Sequence, residues 1–170
     1  MINLKLFFKS IIYNIMPSTT YISYVEKKGF RITEVKFEII SAFIVKAFEQ
    51  IGLINKPDWY LGIYEDFEEI MKGHQQRVMF VLFDDYLAFI SERELKIIEV
   101  FELAKKMIEE EGEKLLPEKL NKMQDVKDWP QTQVEWITPL YTDDLICVVN
   151  IMIKMLKKEW NDGDYVAKFG

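Results

Sequence analysis

Cysteine and histidine are almost missing from this chain, which has one of each in 170 residues, Cys147 and His74. With one cysteine no disulfide can form within the chain, which is typical of proteins of a reducing compartment. Structural zinc is excluded because its sites need several cysteine or histidine ligands. A ferritin-like di-iron centre is excluded because it needs two Glu-x-x-His pairs. We therefore expect no metal, no cofactor and a cytoplasmic location.

Glycine is scarce as well, with seven residues in the whole chain. No phosphate-binding loop of the type G-x-x-x-x-G-K-[ST], no G-x-G-x-x-G and no nucleophile elbow G-x-S-x-G occurs. His74 follows Gly73 at a predicted helix end, where a lone histidine is most often a surface residue. Cys147 lies in the apolar run 145–153, so we expect it to be buried and unreactive. These absences predict that the protein is not an enzyme and has no catalytic residues.

Long apolar runs are also absent, since none approaches the roughly 20 residues that span a bilayer. Residues 1–16 are apolar, but Lys5 and Lys9 interrupt them and no small-residue cleavage site follows. We interpret this segment as an amphipathic element that packs on the core, not as a signal peptide. The length and the lack of repeats or linkers predict one domain over residues 1–170.

What the chain does contain is helical periodicity. Thr33 and Gly52 bracket an apolar segment with an N-cap residue before it and a C′ glycine after it. Further helices are predicted over 59–72, 92–111, 117–124 and 143–160. The helix over 92–111 opens with a capping box over 91–94. The predicted fold is mainly α, an irregular bundle of five or six helices. A short N-terminal β-hairpin over 20–32 is also indicated, and the polar tail 161–170 is expected to be peripheral.

Residues 75–90 form an almost continuous apolar run interrupted by Asp84 and Asp85. They can form a helix or a hairpin that turns at the two aspartates. Two-residue hairpin turns favour glycine or asparagine because the backbone needs positive φ, so we favour the helix.

Acidic residues are unevenly distributed in a chain whose net charge is −6. Residues 1–52 hold seven basic and four acidic residues, whereas residues 58–102 hold four basic and eleven acidic residues, a local net charge of −7. Such a field repels nucleic acid and anionic membranes and attracts basic partners. A solvated helix face is the simpler explanation, but aromatic residues of the types that anchor interfaces are interleaved with the acids. The predicted partner-binding residues are Asp58, Trp59, Tyr60, Tyr64, Glu65, Asp66, Glu68, Glu69, Asp84, Asp85 and Tyr86.

The segment 136–145, with the sequence WITPLYTDDL, leads into a last amphipathic helix. In this feature, and in being small, acidic, rich in Lys, Ile, Asn and Phe, and free of motifs, the chain resembles bacterial immunity proteins of polymorphic toxin systems, including contact-dependent growth inhibition. The resemblance implies a cognate basic toxin, often a nuclease, that the protein binds and neutralises. It implies no direct contact with nucleic acid or membrane.

Two other functions are compatible with the sequence. One is a phage or regulatory adaptor that inhibits a nucleic-acid-binding host protein by imitating phosphate charge. The other is an enzyme that uses carboxylates and tyrosines in an apolar pocket, which would converge on Asp84, Asp85 and Tyr86.

Overall fold

The computed structural model describes residues 19–24, 28–74, 80–81, 84–127 and 133–169. Within them the protein is mainly α-helical with a short β-hairpin, which confirms the predicted fold class. The helices are α1 (Glu34–Ile51), α2 (Asp58–Met71), α3 (Asp84–Leu87), α4 (Ser91–Glu109), α5 (Pro117–Met123) and α6 (Thr142–Leu156). The predicted amphipathic element over 1–16 lies outside the described residues. None of the described helices is long and apolar enough to cross a membrane.

The predicted hairpin is formed by β1 (Thr19–Tyr24) and β2 (Lys28–Thr33), which pair antiparallel with Ile22 opposite Phe30. Two short strands, β3 (Phe80–Val81) and β6 (Tyr165–Val166), extend the hairpin into a four-stranded sheet in the order β3-β1-β2-β6. Both added strands run parallel to their neighbours. A separate two-stranded ladder joins β4 (Lys114–Leu115) to β5 (Leu140–Tyr141).

Helix α1 is largely enclosed, as its apolar sequence requires. Ten of its eighteen residues are buried, and they occur on most sides of the helix. It begins after Thr33 and ends at Gly52, whose φ of 94° is the left-handed conformation that glycine tolerates. Thr33 occupies the N-cap position without a side-chain capping hydrogen bond. Helices α2 and α4 pack against α1, and α6 packs on α4.

The prediction of a continuous helix over 75–90 is wrong. Phe80 and Val81 form β3 beside Ile22 and Ser23, and Asp84–Leu87 are helical. Residues 75–79 and 82–83 lie outside the described residues. A two-residue strand has no alternation that a sequence pattern could reveal.

The tail after α6 is peripheral, as expected, because it lies at the edge of the sheet and most of its described residues are exposed. Its first residues nevertheless contact the hairpin. Gly29 N donates to Asp162 O at 2.9 Å, and Trp160 Nε1 donates to Gly29 O at 3.0 Å. A Cβ atom at Gly29 would overlap Ile22 O of the paired strand, so the pairing of β1 with β2 needs glycine at this position. The tail then adds β6 to the sheet.

Cys147 is exposed, in contrast to its predicted burial. It occupies the face of α6 that also carries Asp143 and Lys154, while Leu145, Val148 and Val149 point into the core. An apolar run in the sequence therefore does not reveal that one position of the helix faces solvent.

The predicted capping box at the start of α4 is not formed. Ile90 occupies the N-cap position, and the carboxylate of Glu94 turns inward. Tyr24 Oη donates to Glu94 Oε1 at 2.6 Å, and Lys158 Nζ donates to Glu94 Oε2 at 3.2 Å. Glu94 is 5% exposed, so these two donors replace the water that its charge would otherwise require. The contact joins β1, α4 and the end of α6.

We expect Glu94→Ala to lower the free energy of unfolding by about 1–3 kcal/mol, because it leaves the buried Tyr24 hydroxyl without its acceptor. Urea denaturation followed by circular dichroism measures the change. Glu92→Ala, in the same helical turn, is the control, since its exposed ion pair with Lys96 contributes at most about 0.5 kcal/mol. Equal losses in the two variants would contradict the assigned role of Glu94.

Candidate functional site

Helix α2 carries most of the predicted partner-binding residues, and its helical period divides them between core and surface. Tyr60, Ile63, Phe67 and Ile70 are buried along one face. Asp58 and Glu65 are exposed on the opposite side. Trp59, Tyr64, Asp66, Glu68 and Glu69 are half-buried between these two faces.

Tyr60 is a core residue, which corrects its prediction as a surface contact. Its ring is 3% exposed and packs edge-on against Phe48, with ring centroids 4.9 Å apart. Burial, followed by the nearby charge of Glu99, raises the pKa of Tyr60 to about 12. A side chain enclosed in this way cannot contact a partner directly.

Tyr64 and Trp59 also contribute to packing within the molecule. Tyr64 Oη donates to Glu49 Oε1 at 3.5 Å, and burial raises the pKa of the Tyr64 hydroxyl, followed by the charges of Glu68 and Glu49. The Trp59 ring stands edge-on to Tyr60 at 5.6 Å. Both side chains therefore offer only part of their surface to a partner.

Helix α3 is brought onto α2 at Gly62. A Cβ atom at this position would overlap the ring of Tyr86, so the missing side chain allows the two helices to meet. Asp84 and Asp85 lie in α3, but their side chains are outside the described part of the chain, and their predicted role stays a prediction.

Arg93 links two of the four predicted aromatic residues, Trp59 and Tyr86, and sequence reasoning missed it. Its guanidinium donates to Tyr86 O at 2.6 Å and lies 5.3 Å from the centre of the Trp59 ring. Cation–π contact and hydrogen bonding together hold the start of α4 against the start of α2. A lone arginine at a helix start has no sequence signal that points to these partners.

The turn before α4 and the beginning of α4 itself expose apolar side chains that sequence reasoning also missed. Phe89 is 50% exposed and Leu95 is 59% exposed, and Ile90 lies between them in the chain. Ala88 and Phe89 both have positive φ, 47° and 56°, although neither is glycine. Left-handed backbone at such residues is uncommon and often marks a functional turn. We call Phe89, Ile90 and Leu95 the apolar rim.

The acids of α2 differ in how their charge is compensated. Glu68 pairs with Lys72 at 3.1 Å, and Glu69 lies 2.6 Å from His74 Nδ1. Glu65 and Asp66 have no ion-pair partner in the part of the chain that the structure describes. Burial raises the pKa of Asp66 above its usual range, and the neighbouring charge of Glu65 raises it further. Glu65 and Asp66, like exposed Asp58 at the start of the helix, therefore have charges that no ion pair within the described residues compensates. We call Glu65, Asp66 and Glu69 the acidic face, because they lie on the same side of α2.

The cleft beside Trp59 has little space for a small-molecule ligand. The cleft there, about 110 Å³ in volume, is lined in part by Trp59, Lys96 and Glu99. It has room for a few waters, which is well below the size of a typical ligand pocket. Within the described ranges no three His, Cys, Asp or Glu residues are grouped so that they could hold a metal ion.

Comparison with protein-family models, with curated proteins and with solved structures gives no significant match to this chain.

We expect Asp66→Asn to stabilise the protein slightly at pH 7, by up to about 0.5 kcal/mol. Because the folded-state pKa of Asp66 is raised, ionisation of this carboxyl costs stability once the pH exceeds its unfolded pKa of about 3.9. The gain should vanish at pH 3, where aspartate is protonated in both states. Thermal melting at the two pH values tests this, with exposed Asp125→Asn as the control. A gain that persists unchanged at pH 3 would show that charge is not its cause.

Proposed function

We propose that this protein binds and neutralises a basic protein toxin through the acidic face of α2 and the apolar rim at the start of α4. The observation that carries the proposal is the pair of uncompensated carboxylates, Glu65 and Asp66. Neither carboxylate forms an ion pair within the described residues. Asp66 is half-buried, so ionisation of its carboxyl group costs stability. A cationic partner would remove that cost.

The neighbouring surface supports the same proposal. Stable interfaces combine an apolar centre with a polar or charged border. Leu95 lies one helical turn before Glu99, which lines the cleft beside Trp59, so apolar and acidic groups adjoin on the outer side of α4. Complementary charge would speed the encounter with the toxin, and apolar contact would slow its release.

The resemblance to immunity proteins supplies the kind of partner. A nuclease toxin binds phosphate through cationic residues, and an acidic face is complementary to such a surface. An inhibitory adaptor directed at a nucleic-acid-binding host protein would use the same surface, and the identity of the partner separates the two.

The first test expresses the neighbouring upstream open reading frame in bacterial cells with and without this chain. We expect that product alone to arrest growth, co-expression of this chain to restore growth, and the two proteins to form a complex. A non-toxic product, or a toxic one that this chain neither binds nor neutralises, would contradict the immunity function.

We expect Glu65→Lys/Glu69→Lys to weaken binding to that product roughly 10–100-fold and to abolish rescue, because opposite charges become like charges across the interface. Glu109→Lys/Glu113→Lys makes the same change in net charge at exposed residues near the other end of α4 and serves as the control. Surface plasmon resonance at several salt concentrations measures both variants, and circular dichroism verifies their folding. Equal weakening in both variants would mean that net charge, not the acidic face, governs binding.

A further inference from the structure

A second cleft, about 320 Å³ in volume, lies between α1, the end of α2 and α5. Its walls are lined by apolar side chains, and basic side chains lie around its opening. The apolar lining residues are Ala42, Met71, Met123 and Val126. The basic residues are Lys46, Lys119 and Lys122.

Two of the lysines carry charge that the described protein does not neutralise. Lys119 pairs with Glu111. Lys46 and Lys122 are exposed, and neither has an acidic partner in the described ranges. In a protein with a net charge of −6, two such lysines beside apolar side chains form a local site of opposite sign.

The fold builds this cleft from a stripe of α1. Glu38, Ala42 and Lys46 are four residues apart and therefore share one side of the helix. Glu38 pairs with Lys127 at 2.7 Å, and the Lys127 side chain is 1% exposed. This buried pair fixes the segment after α5 against α1, and the short side chain of Ala42 leaves the space between them open.

We propose that the cleft binds a small amphipathic carboxylate, namely a free medium-chain fatty acid, with its chain along the apolar walls and its carboxylate between Lys46 and Lys122. A volume of about 320 Å³ lies at the lower end of the range for small-molecule pockets, which favours a small ligand. Pockets of this class combine apolar walls with a few polar groups that orient the ligand. Flexible thioethers, here Met71 and Met123, adapt readily to an alkyl chain.

This proposal is independent of toxin binding, because none of its residues belongs to the acidic face or the apolar rim. The probe is decanoate below its micellar concentration, titrated into the full-length protein by calorimetry. We expect saturable binding with one site, and binding at least tenfold weaker for decanol and for decyltrimethylammonium, which have the same chain without the negative charge. Equal binding of the three probes would overturn the proposal.

The lysine pair is tested with Lys46→Gln/Lys122→Gln, for which we expect about a tenfold loss of decanoate affinity. Lys106→Gln/Lys157→Gln removes the same charge at exposed positions elsewhere and should leave the affinity unchanged. Unchanged affinity in the first variant, or equal loss in both, would overturn the assignment of the two lysines.

Val126 gives a second test at the mouth of the cleft, where its side chain is exposed enough for polar replacement. We expect Val126→Glu to reduce decanoate affinity more than tenfold and Val126→Lys to preserve it. The same fall in both variants would contradict an anionic ligand. Sedimentation with anionic phospholipid vesicles in the absence of saturable decanoate binding would assign the cleft to a membrane surface and would also overturn the proposal.

Discussion

The arrangement of this protein depends on one constraint, the burial of a helix that is apolar on most sides. Helix α1 cannot be covered by a single neighbour, so the hairpin sheet, α2, α4 and α5 surround it. Its burial removes the inner faces of α2 and α4 from water, including Tyr60 and Phe67. The outer faces of the same two helices remain exposed to solvent. The acidic face lies on α2, and the apolar rim lies at the start of α4. The candidate site is thus the outer surface of the helices that enclose α1.

The charges of the buried carboxylates are compensated by partners within the molecule, whereas those of two carboxylates on α2 are not compensated among the described residues. Glu94 is buried and accepts hydrogen bonds from Tyr24 and Lys158, and Glu38 is paired with the enclosed Lys127. Burying an uncompensated charge costs several kcal/mol, so such partners are required. Among the described residues Glu65 and Asp66 have no equivalent partner, although Asp66 is half-buried. This difference separates acids that have a charged or hydrogen-bonding partner within the fold from acids that have none among the described residues.

Much of the fold was predictable because its signals are local. The limits of α1 follow from Thr33, Gly52 and the apolar residues between them, and the hairpin follows from alternating β-branched and aromatic residues. Short β3 and β6 were missed because two residues show no periodicity, and their pairing is decided by contacts with β1 and β2. The helix that carries the acids of α2 was predicted correctly, whereas Arg93 and Phe89 were not singled out. Their positions depend on the packing of Tyr86 against Gly62 and on the turn before α4.

The sequence by itself determined the helical class, the concentration of acid over residues 58–102 and the shortage of cysteine and histidine for metal chemistry. These properties depend on composition and on periods of a few residues. Only the tertiary structure decided that Tyr60 is enclosed, that Cys147 is exposed and that Glu94 meets Lys158 across 64 positions of chain. Periodicity shows which residues share a face of a helix, but the neighbours of that helix determine which face is covered. Compensation of a charge likewise depends on distances in space, which sequence separation does not specify.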